Sequence, residues 1–121
     1  HMDKLNTIQK KEKLNEIFIA DQRGNGNANH KYIISGYNMA FDKDVVIQFQ
    51  NGGRIFADSI HGVLDTDLLE IVRHRLQCFQ QGEFATRENA IALTHIEEAL
   101  LWMNKRVEDR IERNVLGTNN K

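Results

Sequence analysis

FQQGEFATRENAIALTHIEEALLWMNKRVEDRIERNVLGT, Phe79 to Thr118, is the stretch whose reading decides the fold. It holds one turn and one long helix. Thr86 can accept from the free N–H groups of a first turn, and nothing from Arg87 onward breaks a helix until Gly117. Steps of about 100° around the axis sort the residues into three sectors. Leu93, Ile96, Leu100, Met103, Val107 and Ile111 form an apolar stripe, and Glu97, Glu98, Lys105, Glu108, Asp109 and Glu112 a solvated flank. His95, Ala99, Trp102, Arg106, Arg110 and Arg113 form a basic row around the chain's single tryptophan. A surface helix needs only the first two sectors. The third suggests a second surface, facing another copy or an anionic ligand. Trp102 packed beside the core, with arginine stems lying over it, is an equally good reading.

Upstream, Asp65 or Thr66 can cap a helix running through Leu68, Leu69, Ile71, Val72, Leu76 and Phe79 and ending near Gly82. The link Gly82–Ala85 is short enough to make the two helices antiparallel neighbours. Before them the pattern is that of strands. Glu16–Gln22 (EIFIADQ), Lys31–Tyr37 (KYIISGY) and Val45–Gln50 (VVIQFQ) are rich in sheet formers. Val46, Gln48 and Gln50 alternate with Val45, Ile47 and Phe49. Asn51-Gly52-Gly53 has the composition of a hairpin turn, which makes Arg54–Ala57 a short fourth strand. Strands first and helices after, without βαβ alternation, predict an α+β fold: an N-terminal antiparallel β-meander of about four strands packed on a C-terminal antiparallel helix pair with a long last helix.

A chain of 121 residues is expected to form a single domain over 1–121. His1-Met2 looks like a cloning scar, and residues 3–15 read as a polar arm or short helix. Sixteen basic against seventeen acidic side chains argue against DNA binding by bulk charge, but not against a nucleotide pocket. No run of residues suits a membrane span. Cys78 stands alone, and is expected to pack as a small apolar residue in a reducing cytosol.

Little catalytic chemistry is visible. His30, His61, His74 and His95 are scattered, with no H-x-x-x-H or C-x-x-C pair, so neither a metal nor a cofactor is expected. RGNGNANH, Arg23–His30, could expose N–H groups to an anion, but it lacks the Lys and Ser/Thr of a phosphate-transfer loop. A plain connection is the commoner meaning of such a loop. Phe79 and Asn89 are open to two readings. In one, Phe79 is core and Asn89 ties down the interhelix turn. In the other, an aromatic plane and an amide beside a helix N-terminus hold a purine and its phosphates.

The F-Q-x-G-x-F-x-x-R-E-N run at Phe79–Asn89 and the following T-x-x-E-E-A-L-x-W helix, with the hairpin VVIQFQNGGRI and the segment GNGNANHKY, resemble the first Thoeris anti-defence family of bacteriophages. The similarity covers nearly everything after the N-terminal arm. It implies a non-catalytic sponge acting in the host bacterial cytoplasm. Such a sponge binds the cyclic ADP-ribose isomers made by TIR-domain immune proteins, and some members hold cyclic oligonucleotides at a second site. By that resemblance Phe79 stacks on adenine, Asn89 hydrogen-bonds the base or ribose, and Arg106 answers the diphosphate, with Arg54 and Arg23 as further cations. The chain departs from the family pattern near its end, where Arg-Asn-Val-Leu-Gly-Thr replaces an arginine followed by glycine and an acidic residue.

Asn89 and Arg106 are seventeen residues apart on one helix, or about 25 Å, more than one cyclic nucleotide spans. If both touch one ligand they belong to different chains, which implies a homodimer with two equivalent pockets. The Trp102 row then suits that interface, or the packing of dimers into a trimer of dimers. Two other functions stay open: an enzyme that degrades the same messenger, and a protein–protein adaptor using the basic Trp row.

Overall fold

The computed structural model describes residues 2–36 and 44–120. The chain forms two compact units, His1–Val63 and Leu64–Lys121.

The first unit is a four-stranded sheet: β1 (Asp3–Lys4), β2 (Asn15–Ile19), β3 (Lys31–Gly36) and β4 (Val45–Gln48), in chain order. All neighbours are antiparallel. The register sets Ile17 opposite Ile34 and Ile34 opposite Val45, and Ile19 opposite Tyr32 and Tyr32 opposite Ile47, so one face carries two continuous apolar rows. Gln48 faces Lys31 on the other side of the pleat, as the alternation in VVIQFQ requires. Phe49 extends the first face, its ring meeting Tyr32 edge-on at 5.7 Å. The last residue expected in the second strand, Tyr37, lies outside the described residues.

The sheet has four strands, but not the four expected. Within the segment read as an arm, Asp3 pairs with Ile19 and Lys4 with Phe18, and Lys4 Nζ lies 3.5 Å from Glu16 Oε1. Arg54–Ala57, expected as the return strand, forms successive turns instead. Phe56 N–H donates to Gly53 O and Ser59 N–H to Phe56 O. Pairing resumes only where Asn51 exchanges both backbone bonds with Ile60. The physical reason is the closure at Gly62, where an added Cβ would sit 2.2 Å from Gln48 O. That close approach lets Val63 N–H donate to Gln48 O and Gln50 N–H to Val63 O. The returning chain thus docks beside Gln48–Gln50 near residues 60–63, and residues 52–59 are left as a loop.

The second unit is a pair of helices, α1 (Asp65–Gln80) and α2 (Arg87–Glu112). Thr86 caps α2 as the sequence suggested, its Oγ1 accepting from Asn89 N–H at 3.0 Å. Neither Asp65 nor Thr66 caps α1. Leu64 occupies that position, and Asp67 Oδ2 accepts the Leu64 N–H at 2.8 Å, so the carboxylate satisfies the helix start from inside the first turn. Replacing Thr86 with alanine is expected to cost about 1 kcal/mol and lower the melting temperature by about 4 °C. A circular-dichroism melt measures this, and Thr86→Ser, which keeps the acceptor, should restore the loss.

α2 stops short of Gly117. Asn114 takes a left-handed φ of 57°, its N–H donates to Ile111 O, and Val115 N–H donates to Arg110 O. This double closure is a Schellman motif, and asparagine supplies the conformation that glycine more often provides. The Arg110 guanidinium then donates to the carbonyls of Val115, Thr118 and Asn120 and folds the tail onto the helix end.

The apolar stripe faces α1 only in part. Leu93, Ile96, Leu100 and Met103 are half-buried, whereas Val107 and Ile111 are exposed. Glu97, placed by periodicity on the solvated flank, reaches across to Arg73 Nε at 2.8 Å. Cys78 is exposed, not packed; its Sγ lies 3.7 Å from His74 Nε2, one turn earlier. Trp102 is 71% exposed, so it is not a side-core residue of its own chain. Among the described residues no apolar side chain is fully buried.

Candidate functional site

The tip of the helix pair is braced by two side-chain amides. Gln80, at the end of α1, donates from Nε2 to Thr86 O and accepts Thr86 N–H on Oε1, both at 3.0 Å. One amide therefore fixes the two ends of the connecting loop. Asn89 adds a second brace, its Nδ2 donating to Phe84 O at 3.1 Å. Of the two readings of Asn89, the turn-tying one is realised in this chain. A ligand contact would have to use the carbonyl end of the same amide.

These braces hold two aromatic rings together. Phe79 is half-buried and Phe84 is 67% exposed, and their centroids are 6.3 Å apart at 75°. The Arg75 guanidinium lies 5.4 Å from the centroid of the Phe79 ring. Such a cation polarises the ring and adds positive charge where an aromatic ligand with phosphates would arrive. Arg75, Gln80 and Phe84 were not singled out from sequence. The four-residue spacing of Arg75 and Phe79 on one helix was the available signal for the first of them.

Arg106 lies far along α2 and, among the described residues, has no hydrogen-bond or ion-pair partner; it is exposed. Because α2 is unbroken from Arg87 to Glu112, the separation of about 25 Å from Asn89 holds. One chain cannot bring both to one small ligand. The rest of the basic row is occupied otherwise, Arg110 with the tail and Arg113 with Asp109 at 3.7 Å.

Arg23 and Arg54 belong to the first unit, at loops that touch. Asn25 Nδ2 donates to Asn51 Oδ1 at 2.8 Å, linking the loop that follows Arg23 to the residue that begins the loop of Arg54. Gly26 and Asn27 have positive φ, as the composition of that loop anticipated. Its Gly24, Asn27 and Ala28 N–H groups bond internal carbonyls, and are not displayed to an anion. Asp21 carboxylate oxygens accept His30 N–H, and the His30 ring is buried, its Nδ1 without a partner among the described residues. Arg23 is exposed and, among the described residues, unpaired. Arg54 is exposed but anchored, bonded to Gln50 and to Gly62 O.

An open groove of about 770 Å³ runs between α1 and α2, lined by Leu64, Leu100, Leu101 and Val107 and crossed by the Arg73–Glu97 pair. Glu97, and after it Glu70, hold the Arg73 proton more tightly than usual by accepting its hydrogen bonds. Leu101 is 71% exposed there. Among the described residues no helix is long and apolar enough to cross a membrane.

Comparison with known proteins relates the chain to a family and to a curated relative. The pattern of the Acb2/Tad1 hairpin domain matches residues 42–108, more than half of the chain. The protein named Thoeris anti-defense 1 of Bacillus phage SBSphiJ7 is 46% identical over 79 residues, which make up 65% of this chain and 55% of that relative. The chain thus spans about half the length of the curated relative it matches.

Proposed function

The chain belongs to the Acb2/Tad1 hairpin-domain family, and from that premise we propose that it is a phage anti-defence protein that sequesters cyclic ADP-ribose signals without cleaving them. The relative's name supports a role against Thoeris immunity. The observation that carries the ligand class is the braced hairpin tip, where Phe79, Arg75 and Asn89 gather an aromatic plane, a cation and an amide. An adenine can stack on the ring and a diphosphate can meet guanidinium groups through charge-assisted bonds.

If Asn89 and Arg106 both touch one ligand, the unbroken α2 puts them on different copies of the chain. Asn89 and Phe79 of one chain would meet Arg106 of its neighbour, in a homodimer whose two-fold axis repeats the pocket. The exposed Leu101, Trp102 and Val107 supply apolar surface for such contacts, including assembly into a trimer of dimers. The site of action would be the host bacterial cytoplasm, where TIR-domain proteins release their messengers. Cyclic oligonucleotides at a second site are the further ligand class to test.

A sponge works stoichiometrically, so slow release matters more than turnover. The deciding experiment loads the protein with a cyclic ADP-ribose isomer, denatures it by heat, and analyses what is released. Intact messenger is expected. A linear or hydrolysed product would mean an enzyme. No change in melting temperature with any of a panel of cyclic nucleotides would favour a protein adaptor using the Trp102 surface.

A further inference from the structure

We propose that Phe84 is a second ring of the base site, lining the edge of the adenine that stacks on Phe79. This rests on the reading that the hairpin tip binds a cyclic ADP-ribose signal, and it involves residues of the second unit alone. Phe84 stands on the loop between α1 and α2 and is 67% exposed. Its own chain gains little from a ring left in water, yet the backbone around it is held at several points. Asn89 Nδ2 donates to Phe84 O at 3.1 Å, and the next residue, Ala85, donates its N–H to Gly82 O at 3.2 Å. Thr86 exchanges two hydrogen bonds with the Gln80 carboxamide, both at 3.0 Å. Gly82 N–H donates to Phe79 O at 3.2 Å, which ties the loop to the residue that carries the first ring.

The braced loop sets the geometry of the rings. Phe79 and Phe84 have centroids 6.3 Å apart and planes inclined at 75°. A base lying flat on Phe79 is therefore steeply inclined to Phe84, in the edge-to-face relation that aromatic quadrupoles favour. A purine is broader than a phenyl ring, so it overhangs Phe79, and Phe84 is the ring that stands beside it. Because the loop is fixed before a ligand arrives, little further ordering is lost on binding. The Asn89 amide gains a second use, since its bond to Phe84 O keeps this ring next to Phe79.

Two measurements test this, with one cyclic ADP-ribose isomer as the probe. In nuclear magnetic resonance of the complex, the adenine H2 or H8 proton should show an Overhauser effect to a phenylalanine ring that disappears in Phe84→Leu. In calorimetric titration Phe84→Leu, which keeps apolar volume and loses the ring, should weaken binding about fivefold. Phe84→Tyr should bind as the unaltered chain does. The melting temperature of the free chain should change little, because the ring is already mostly in water. Unchanged affinity in Phe84→Leu, or adenine protons that meet no ring lost in that variant, would overturn the proposal. If Phe79→Ala still weakens binding, the sponge reading then stands. A smaller assembly of Phe84→Leu in sedimentation, with no adenine contact, would assign the ring to another copy of the chain and overturn it too. An unaltered chain that binds no cyclic ADP-ribose would remove both.

Discussion

Replacing Phe79 with alanine is expected to weaken cyclic ADP-ribose binding by roughly a hundredfold while both helices persist. A base stacked on an aromatic side chain contributes on the order of 1–3 kcal/mol, and the upper part of that range applies where a cation reinforces the ring, as Arg75 does. The helices should survive because Phe79 is only half-buried and meets the loop ring of Phe84, while Leu93, Ile96 and Leu100 of α2 keep their half-buried places. A stability loss of about 1–2 kcal/mol is the most that a part-exposed ring at a helix end should cause. Titration calorimetry reads the affinity and a thermal melt controls for folding. Phe79→Trp, which keeps a plane, should retain most of the binding. An alanine variant that binds as tightly as the unaltered chain would remove the hairpin tip from the pocket.

The second large effect is one of assembly. Asn89→Ala and Arg106→Ala should each abolish tight binding when tested alone, Arg106→Ala by the loss of charge-assisted phosphate bonds on the order of 2 kcal/mol. Mixed and allowed to exchange subunits, the two variants should recover about a quarter of the full-strength sites, since half the dimers become hybrids and each hybrid rebuilds one intact pocket out of two. Calorimetric stoichiometry measures that fraction. A pocket within one chain predicts no recovery at all, so zero restored sites after demonstrated exchange would refute the shared pocket. Asn89→Ala has an additional consequence, because the same amide holds Phe84 O. Part of its effect should appear as a looser loop, seen as faster amide exchange at residues 81–86.

The helical half was legible because its signals are local. Thr86, the 3.6-residue period and the short link at Gly82 each act within a few residues, and the structure follows them. The end of α2 was misplaced because Asn114 can adopt a left-handed turn without looking like glycine. The sheet's membership was harder to read. Asp3 and Lys4 pair with residues far along the chain, Ile19 and Phe18, and have no strand-like composition of their own. Arg54–Ala57 had a turn in front of it, but Gly62 draws the returning chain to a different place.

The candidate site divides along the same line. Phe79, Asn89, Arg106, Arg54 and Arg23 were named from the sequence, and their residue types set the possible chemistry: one plane, one amide and three permanent cations. What those groups are free to do depends on neighbours distant along the chain or across a helix pair. Asn89 is bound to the turn, Arg54 is held by Gln50 and Gly62, Arg106 has no partner among the described residues, and Trp102 is exposed. The sequence alone determined that strands precede helices, the length of α2 to within a turn or so, and hence the distance that no single ligand can bridge. Only the tertiary structure decided which polar groups are already satisfied. Hydrogen bonds such as Arg54 to Gly62 exist only once chain closure has set both partners in place, and no pattern of residue types records that geometry.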